Sequence, residues 1–369
     1  MVLNLPLNGV SFGQVCTALM REAFEADKDS TILFPVGEPD LVTQSNLTKE
    51  FSEWLKSSIN RAPVEHKRTN PCLRFWHLDG SLASVSEKQA LFTFYELDAP
   101  TPFELNVVKN QAAVIVSSNY TKQIFESFGY SNIHYVPLGF DKSNFSVLNK
   151  PKAFPGQITF NLCGKLEKRK NHKAAIRAWI KKFGNNPKYR LQLAVYNVHL
   201  NNIHRDGVDY NPNAVMDAIG VNPPPYNISV HPHFSTNALY NDFLNSADII
   251  IGTSGAEGWD LPVFQSVCLG KHAVILNAHV YKDWANKDNA ALINPNGKID
   301  AYDNFFFKKG THVNQGQIFT FNEDEFIAGC EEAVKRVEAN PVNKAGLELQ
   351  NKFTYTNTYN KVKEVVSAL

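Results

Sequence analysis

Short apolar, β-branched runs alternate with helix-spaced segments along the chain, and the alternation breaks once, at a polar, proline-containing stretch from 142 to 156, before starting again. Such alternation favours parallel sheets covered by helices, because each strand reaches its parallel neighbour through a helix laid over the sheet. Before the break, Thr31 to Val36, Leu73 to Trp76, Ala90 to Tyr95, Ala113 to Ser117 and Ile133 to Val136 read as strands. Phe12 to Ala26 and Ser118 to Phe128 space their apolar residues as helices do, with Gly129 as a stop. After it come strands at Ile158 to Cys163, Leu191 to Val195, Ile228 to His231 and Ala247 to Gly252, with edge strands at Ala273 to Leu276 and Ala290 to Ile293. Helices are expected at Asn171 to Lys182, Thr236 to Asn245 and Asn322 to Asn340, the last with Asn322 as cap and Glu325 three residues on. Asn197 to Pro225 has no clear period and reads as a long loop. The break suits a linker, so two α/β domains are expected, 1–150 and 151–354, with a ligand crevice beyond the carboxyl ends of their strands.

The chain's 369 residues, 43% of them hydrophobic, exceed what one small module needs. Lysine and arginine number 37 against 36 acids, and a net charge of +1 gives no general attraction to nucleic acid. The five cysteines are odd in number, widely spaced and mostly inside apolar runs, as reduced core residues are. No leader pattern opens the sequence, and no run reaches the about 18 apolar residues of a membrane span, so a soluble cytoplasmic protein is expected.

Within this frame one turn stands out. Residues 254 to 270 place Glu257 in a glycine-rich turn between the apolar run ADIIIG and a short helix, with Pro262 in its first turn and Gly270 at its end. The free amides of Gly258 to Leu261, with the helix dipole, suit an anionic or hydroxyl-rich ligand, and Glu257 suits its hydroxyls. A plain capping acid is the alternative. After Cys163 comes Gly164-Lys165-Leu166-Glu167-Lys168-Arg169-Lys170, from which the ammonium groups of Lys165 and Lys170 are expected to converge on a phosphate. A solvated basic helix entrance is the alternative. On the other wall, the loop Pro6 to Gly13 offers Gly9 and Ser11 for close approach of a phosphate or sugar.

Other chemistries find little support. His231 and His233 flank Pro232, and His199 and His204 lie in the long loop, but none has a third ligand at metal spacing, so no metal is expected. A nucleophile elbow is missing. The run Phe305-Phe306-Phe307 beside Lys308 and Lys309 is either part of a core or a contact for an acceptor or a peripheral membrane surface.

Glu257-Gly258-Trp259-Asp260-Leu261-Pro262-Val263-Phe264-Gln265, the strand before it, and Gly164-Lys165-Leu166 with Lys170 together resemble the donor-binding domain of the retaining GT-B glycosyltransferases of family four. Val116-Ser117-Ser118-Asn119-Tyr120 through Gly139-Phe140-Asp141 is similar to that family's interdomain approach. The resemblance covers most of residues 90 to 285 and implies two Rossmann-like, doubly wound domains facing a cleft, with the last helix, 355–369, crossing back to the first domain. It implies transfer of a sugar, with retention and without metal or other cofactor, from a nucleotide-diphosphate sugar to a glycan, lipid or protein acceptor. Lys165 stands where the family has arginine and, with Lys170, would hold the diphosphate. Glu257 would contact donor-sugar hydroxyls, helped by Gly164 and the turn Gly258, Trp259, Asp260 and Leu261. The family's second glutamate is Gln265 here, a neutral and weaker acceptor for ribose hydroxyls. Asp260 replaces a common glycine, so its charge is expected to cap the helix or face away from the diphosphate. Glu96 and His77, each at a strand end, are the candidates for contacting the sugar or acceptor. The alternatives are a GT-B epimerase or phosphorylase, and a non-catalytic nucleotide-sugar-binding relative.

Overall fold

The computed structural model describes residues 1–195, 197 and 212–369; the expectations for His199 and His204 lie outside them. The first half runs β1 (Val2–Leu5), α1 (Ser11–Asp27), β2 (Ile32–Pro35), α2 (Lys49–Glu65), β3 (Cys72–Phe75), β4 (Gln89–Thr93), α3 (Pro102–Lys109), β5 (Ala113–Val116), α4 (Asn119–Ser127) and β6 (Ile133–Tyr135). Its strands form one sheet in the order β2-β1-β3-β4-β5-β6, every neighbouring pair parallel. Strands buried on both faces read as nearly continuous apolar runs, with any polar residue needing a partner, and β1, β4 and β5 are buried at every position.

The second half runs β7 (Ile158–Cys163), α5 (His172–Phe183), β8 (Tyr189–Ala194), α6 (Pro212–Ile219), β9 (Ile228–Val230), α7 (Asn237–Asn245), β10 (Ile249–Gly252), α8 (Leu261–Cys268), β11 (His272–Leu276), α9 (Tyr281–Trp284), β12 (Ala291–Ile293), β13 (Pro295–Asp300), β14 (Gln317–Phe321) and α10 (Glu323–Ala339). The second sheet is ordered β12-β11-β10-β7-β8-β9, again parallel throughout. Order reverses between β1 and β3 in the first sheet and between β7 and β10 in the second. Turns leaving adjacent strands at such a reversal diverge and open a crevice at the carboxyl ends.

The chain ends with α11 (Lys344–Leu347), α12 (Leu349–Lys352) and α13 (Tyr355–Ser367). α13 packs on α1 and touches β4 and β5. The Tyr359 hydroxyl donates to Asp27 at 2.8 Å, Lys363 pairs with Asp27 at 2.7 Å, and Thr358 donates to the Pro137 carbonyl at 2.8 Å.

Several elements differ from the sequence-based expectations. β11 lies inside the sheet, between β10 and β12, and only β12 is an edge strand. β1 was not anticipated, because four residues with a central Asn4 give too short an alternation; in the structure Asn4 is satisfied by Phe34 and Arg74. α2 carries Pro63 inside it, which masked its period. α3 has Pro102 in its first turn and a full capping box between Thr101 and Glu104, a signal that was present and passed over. α6 occupies part of the supposed loop 197–225, and β13 and β14, absent from the expected strands, form an antiparallel pair joined by residues 301–316. Among the described residues, no helix is long and apolar enough to cross a membrane.

Candidate functional site

The turns after β7 and β10, the two strands at the second reversal, carry the densest group of buried charges. After β7, Gly164 takes φ +112, where a side chain would be strained and its Cβ would come within 3.2 Å of the Lys170 side chain. The chain then makes one 3₁₀ turn, Lys168–Lys170, closed by Asn171 at φ 56. After β10, Thr253 to Asp260 loops under it. The Gly255 amide donates to the Arg169 carbonyl at 2.8 Å, and the Asn171 amide group donates to the carbonyls of Thr253 at 3.0 Å and Phe319 at 2.9 Å. The two turns and β14 are thereby one rigid unit.

Glu257 sits in that unit, buried, with one carboxylate oxygen shared by three donors. Arg169 Nη1 is 2.9 Å away, the Ser254 hydroxyl 2.7 Å away, and Lys170 Nζ closes the third contact. Arg169 also pairs with Glu167 at 2.6 Å and with Glu96 at 3.1 Å. Lys170 lies 3.5 Å from Asp260, whose other oxygen accepts from the Tyr281 hydroxyl at 2.5 Å. Burial works to raise the Glu257 pKa, but Arg169 and Lys170 outweigh it and hold it at about 2. Burial dominates for Glu96, pushing it up to about 7 against the pull of Arg169, and it raises Asp260 against Lys170. The flanking imidazoles stay neutral: burial and then Lys170 lower His172 to about 3, and burial lowers His279 to about 4. His279 Nε2 lies 2.7 Å from the Ser254 carbonyl.

α8 starts from this turn without a side-chain cap, so its first amides remain available for a ligand. Asp260, its N-cap residue, has φ 62 and makes no capping hydrogen bond. The expectation that Asp260 caps the helix is therefore corrected: its carboxylate turns inward to Lys170 and Tyr281, where a buried cation and a hydroxyl satisfy it.

Both halves contribute to the site. The Ser117 hydroxyl donates to the Gly258 carbonyl at 2.7 Å, and the Asn119 amide donates to Asp283 at 2.9 Å. Gly258 lies against Phe94, where an added Cβ would come within 2.8 Å of the Phe94 Cβ. The segment between β13 and β14 reaches the first half through Asn314, whose amide donates to Glu104 at 2.8 Å.

The residues singled out from sequence fall into three groups. Glu257, Lys170, Asp260, Gly164 and Glu96 meet in the charge cluster, with Gly258 and Leu261 framing it. Lys165 does not converge with Lys170: it is exposed, with its ammonium 5.3 Å from the Phe306 ring, since the 3₁₀ turn rotates the two side chains apart. Trp259 is also displaced from the expected wall, being packed into the core against Phe264 and Phe353. Gln265 is buried one turn into α8. Gly9 and Ser11 leave β1 at the first reversal, and a relay of rings links their loop to the turn. Phe12 packs on Phe94 at 5.0 Å and on His77 at 4.4 Å. Partial burial, then the charge of Lys165, lowers the His77 pKa. Sequence reasoning missed Arg169, although it stands inside the basic run that drew notice; three successive cations gave no sign of which one turns inward. Ser254, His279 and Tyr281 carried no local signal. Among the described residues, no group of three or more His, Cys, Asp or Glu side chains is placed to hold a metal.

No family model matches the chain, and no curated protein matches its sequence. Solved structures do match it over its whole length. Sucrose-phosphate synthase from Thermosynechococcus elongatus has a TM-score of 0.65 at 11% identity, covering 100% of this chain and 98% of that one. A glycosyltransferase from Rickettsia africae has 0.65 at 12% identity, covering 100% and 97%. HepE from Anabaena, solved in complex with UDP and glucose, has 0.61 at 12% identity, covering 100% of both chains. At such identities the likeness establishes the fold, which is GT-B.

Proposed function

We propose that the chain is a retaining glycosyltransferase, moving a sugar from a nucleoside-diphosphate sugar to a glycan, lipid or protein acceptor. The observation that carries this reading is the buried, ionised Glu257, held by Arg169 and Lys170 at the uncapped start of α8, at the strand-order reversal of a GT-B chain. A carboxylate kept ionised beside a helix start can accept hydrogen bonds from sugar hydroxyls, while the amides of Gly258 to Leu261 and the Lys170 ammonium suit a diphosphate. Gln265 is the candidate for the ribose hydroxyls. Gly9 and Ser11 form the facing wall, with His77 and Glu96 toward sugar or acceptor.

In the proposed step the acceptor hydroxyl attacks the anomeric carbon on the face the diphosphate leaves. The carbon–oxygen bond to phosphate breaks as the new glycosidic bond forms, and the departing phosphate oxygen takes the hydroxyl proton. Lys170 stabilises the charge that grows on that oxygen, so neither a protein nucleophile nor a metal enters. The five cysteines are unpaired and buried, which suits a reducing cytoplasm.

The test is a panel of UDP- and GDP-sugars with mixed acceptors, following nucleoside diphosphate release and the anomeric configuration of the product. Acceptor-dependent release with retained configuration supports the reading. Inversion removes the retaining route, release of sugar 1-phosphate or an epimer indicates the phosphorylase or epimerase, and tight binding without turnover leaves a nucleotide-sugar-binding protein.

A further inference from the structure

The cluster holds an excess of acid. Around Arg169 and Lys170 stand four carboxylates, those of Glu96, Glu167, Glu257 and Asp260. Fully ionised, the group would repel a diphosphate, and at this depth the repulsion is weakly screened. Three of the four acids lie in the second half, on the two stitched turns, and have nowhere to go. Glu96 differs: it follows β4 of the other sheet, among the described residues pairs with the cluster through Arg169 Nη1, and keeps 28% of its side chain accessible. It can swing away without disturbing either turn.

We infer that Glu96 is an internal competitor for the anion site: its carboxylate holds Arg169, and a nucleoside diphosphate binds by taking Arg169 from it, Glu96 accepting a proton from solvent as it is displaced. The balance is one proton taken up for one carboxylate made neutral, and no covalent bond changes. The groups facing Glu96 are Arg169 and Lys170 from the 3₁₀ turn, Glu167 just before it, and Glu257 from the turn before α8. Replacing the guanidinium partner with a dianion reverses the field at Glu96 from attractive to repulsive, and its pKa, already raised by burial, rises further. The neutral acid can then donate to a sugar or acceptor hydroxyl, which a carboxylate cannot.

The inference rests on the donor reading, and the experiment separates the two. Binding of UDP and of inorganic pyrophosphate, neither of which carries a sugar for Glu96 to touch, is measured calorimetrically at pH 7 in buffers of different ionisation enthalpy. For the wild type the apparent enthalpy should vary with buffer, reporting net proton uptake. E96Q should bind both ligands on the order of tenfold more tightly, equivalent to about 1.4 kcal/mol, with the buffer dependence reduced. Binding with buffer-independent heats, or E96Q binding no more tightly than wild type, overturns the inference and leaves the donor site standing. No binding of either ligand to either protein overturns both.

Discussion

Lys170 and Glu257 form a buried ion pair that locks the 3₁₀ turn after β7 to the turn before α8. The pair couples folding to the chemistry proposed for the site, because the ammonium that would hold a diphosphate also neutralises two acids in the core of the second half. Lys170→Ala should therefore do two things. Transfer should fall on the order of 10²–10³-fold, and stability should fall by about 3–5 kcal/mol, since buried Asp260 loses its paired cation and Glu257 one of its two. Adding Glu257→Gln should restore part of the melting temperature while leaving transfer lost. Thermal unfolding and turnover of the wild type and the two variants check this; near-normal transfer in Lys170→Ala would contradict it.

Acid should destabilise the protein well above the usual carboxylate range. His172 and His279, at about 3 and about 4, are lowered from an ordinary value of 6.5. Their contribution is complete above pH 6.5 and drains as pH falls, at about 1.4 kcal/mol per pH unit for each. Glu257, held at about 2 against an ordinary 4.5, adds loss of the same sign below pH 4.5. Glu96, raised to about 7, works in the opposite sense, its contribution being lost as pH rises through 7. Denaturant unfolding between pH 7 and 4 should show stability falling by several kcal/mol, and His279→Gln should flatten the slope. A flat profile in the wild type would contradict buried neutral imidazoles.

Gly258→Ala tests the contact between the halves. Its new Cβ would overlap Phe94 at 2.8 Å, and overpacking of this kind costs about 1–3 kcal/mol. Phe94→Ala in the same chain should recover much of the loss in a double-mutant cycle of melting temperatures. Additive effects would mean that the two residues do not press on each other in solution.

Removing residues 355–369 should destabilise the first half. α13 buries Tyr359, Val362 and Val366 and ties Asp27 with a hydroxyl and an ammonium. Limited proteolysis should open sites in α1 and β2 of the truncated chain; an unchanged cleavage pattern would contradict the packing.

The second half was the more legible in sequence. β10 is a continuous apolar run and β7 alternates Ile158, Phe160 and Leu162 with Thr159 and Asn161, each followed by turn residues, so the strand-turn-helix unit around Glu257 is written locally. β1 and α2 were hidden for physical reasons: Asn4 interrupts the apolar run of a strand only four residues long, and Pro63 interrupts a helix held by its packing on β2. At the site, Glu257 and Lys170 were readable because turn chemistry and helix-start chemistry are local. Arg169 and Tyr281 were not, because their importance comes from contacts distant in the chain, Arg169 to Ala256 across 87 residues and Tyr281 to Asp260 across 21. Asp260 shows the limit most clearly. Its position suggested a cap, and the backbone at φ 62 turned its carboxylate into the core instead.

Hydrogen–deuterium exchange across the whole chain, with and without saturating UDP or GDP, tests the donor site most directly. The account predicts slowed exchange concentrated in 164–172 and 253–265, with weaker protection at the loop of Gly9. Protection confined to other surfaces, or none with either nucleotide, would contradict it.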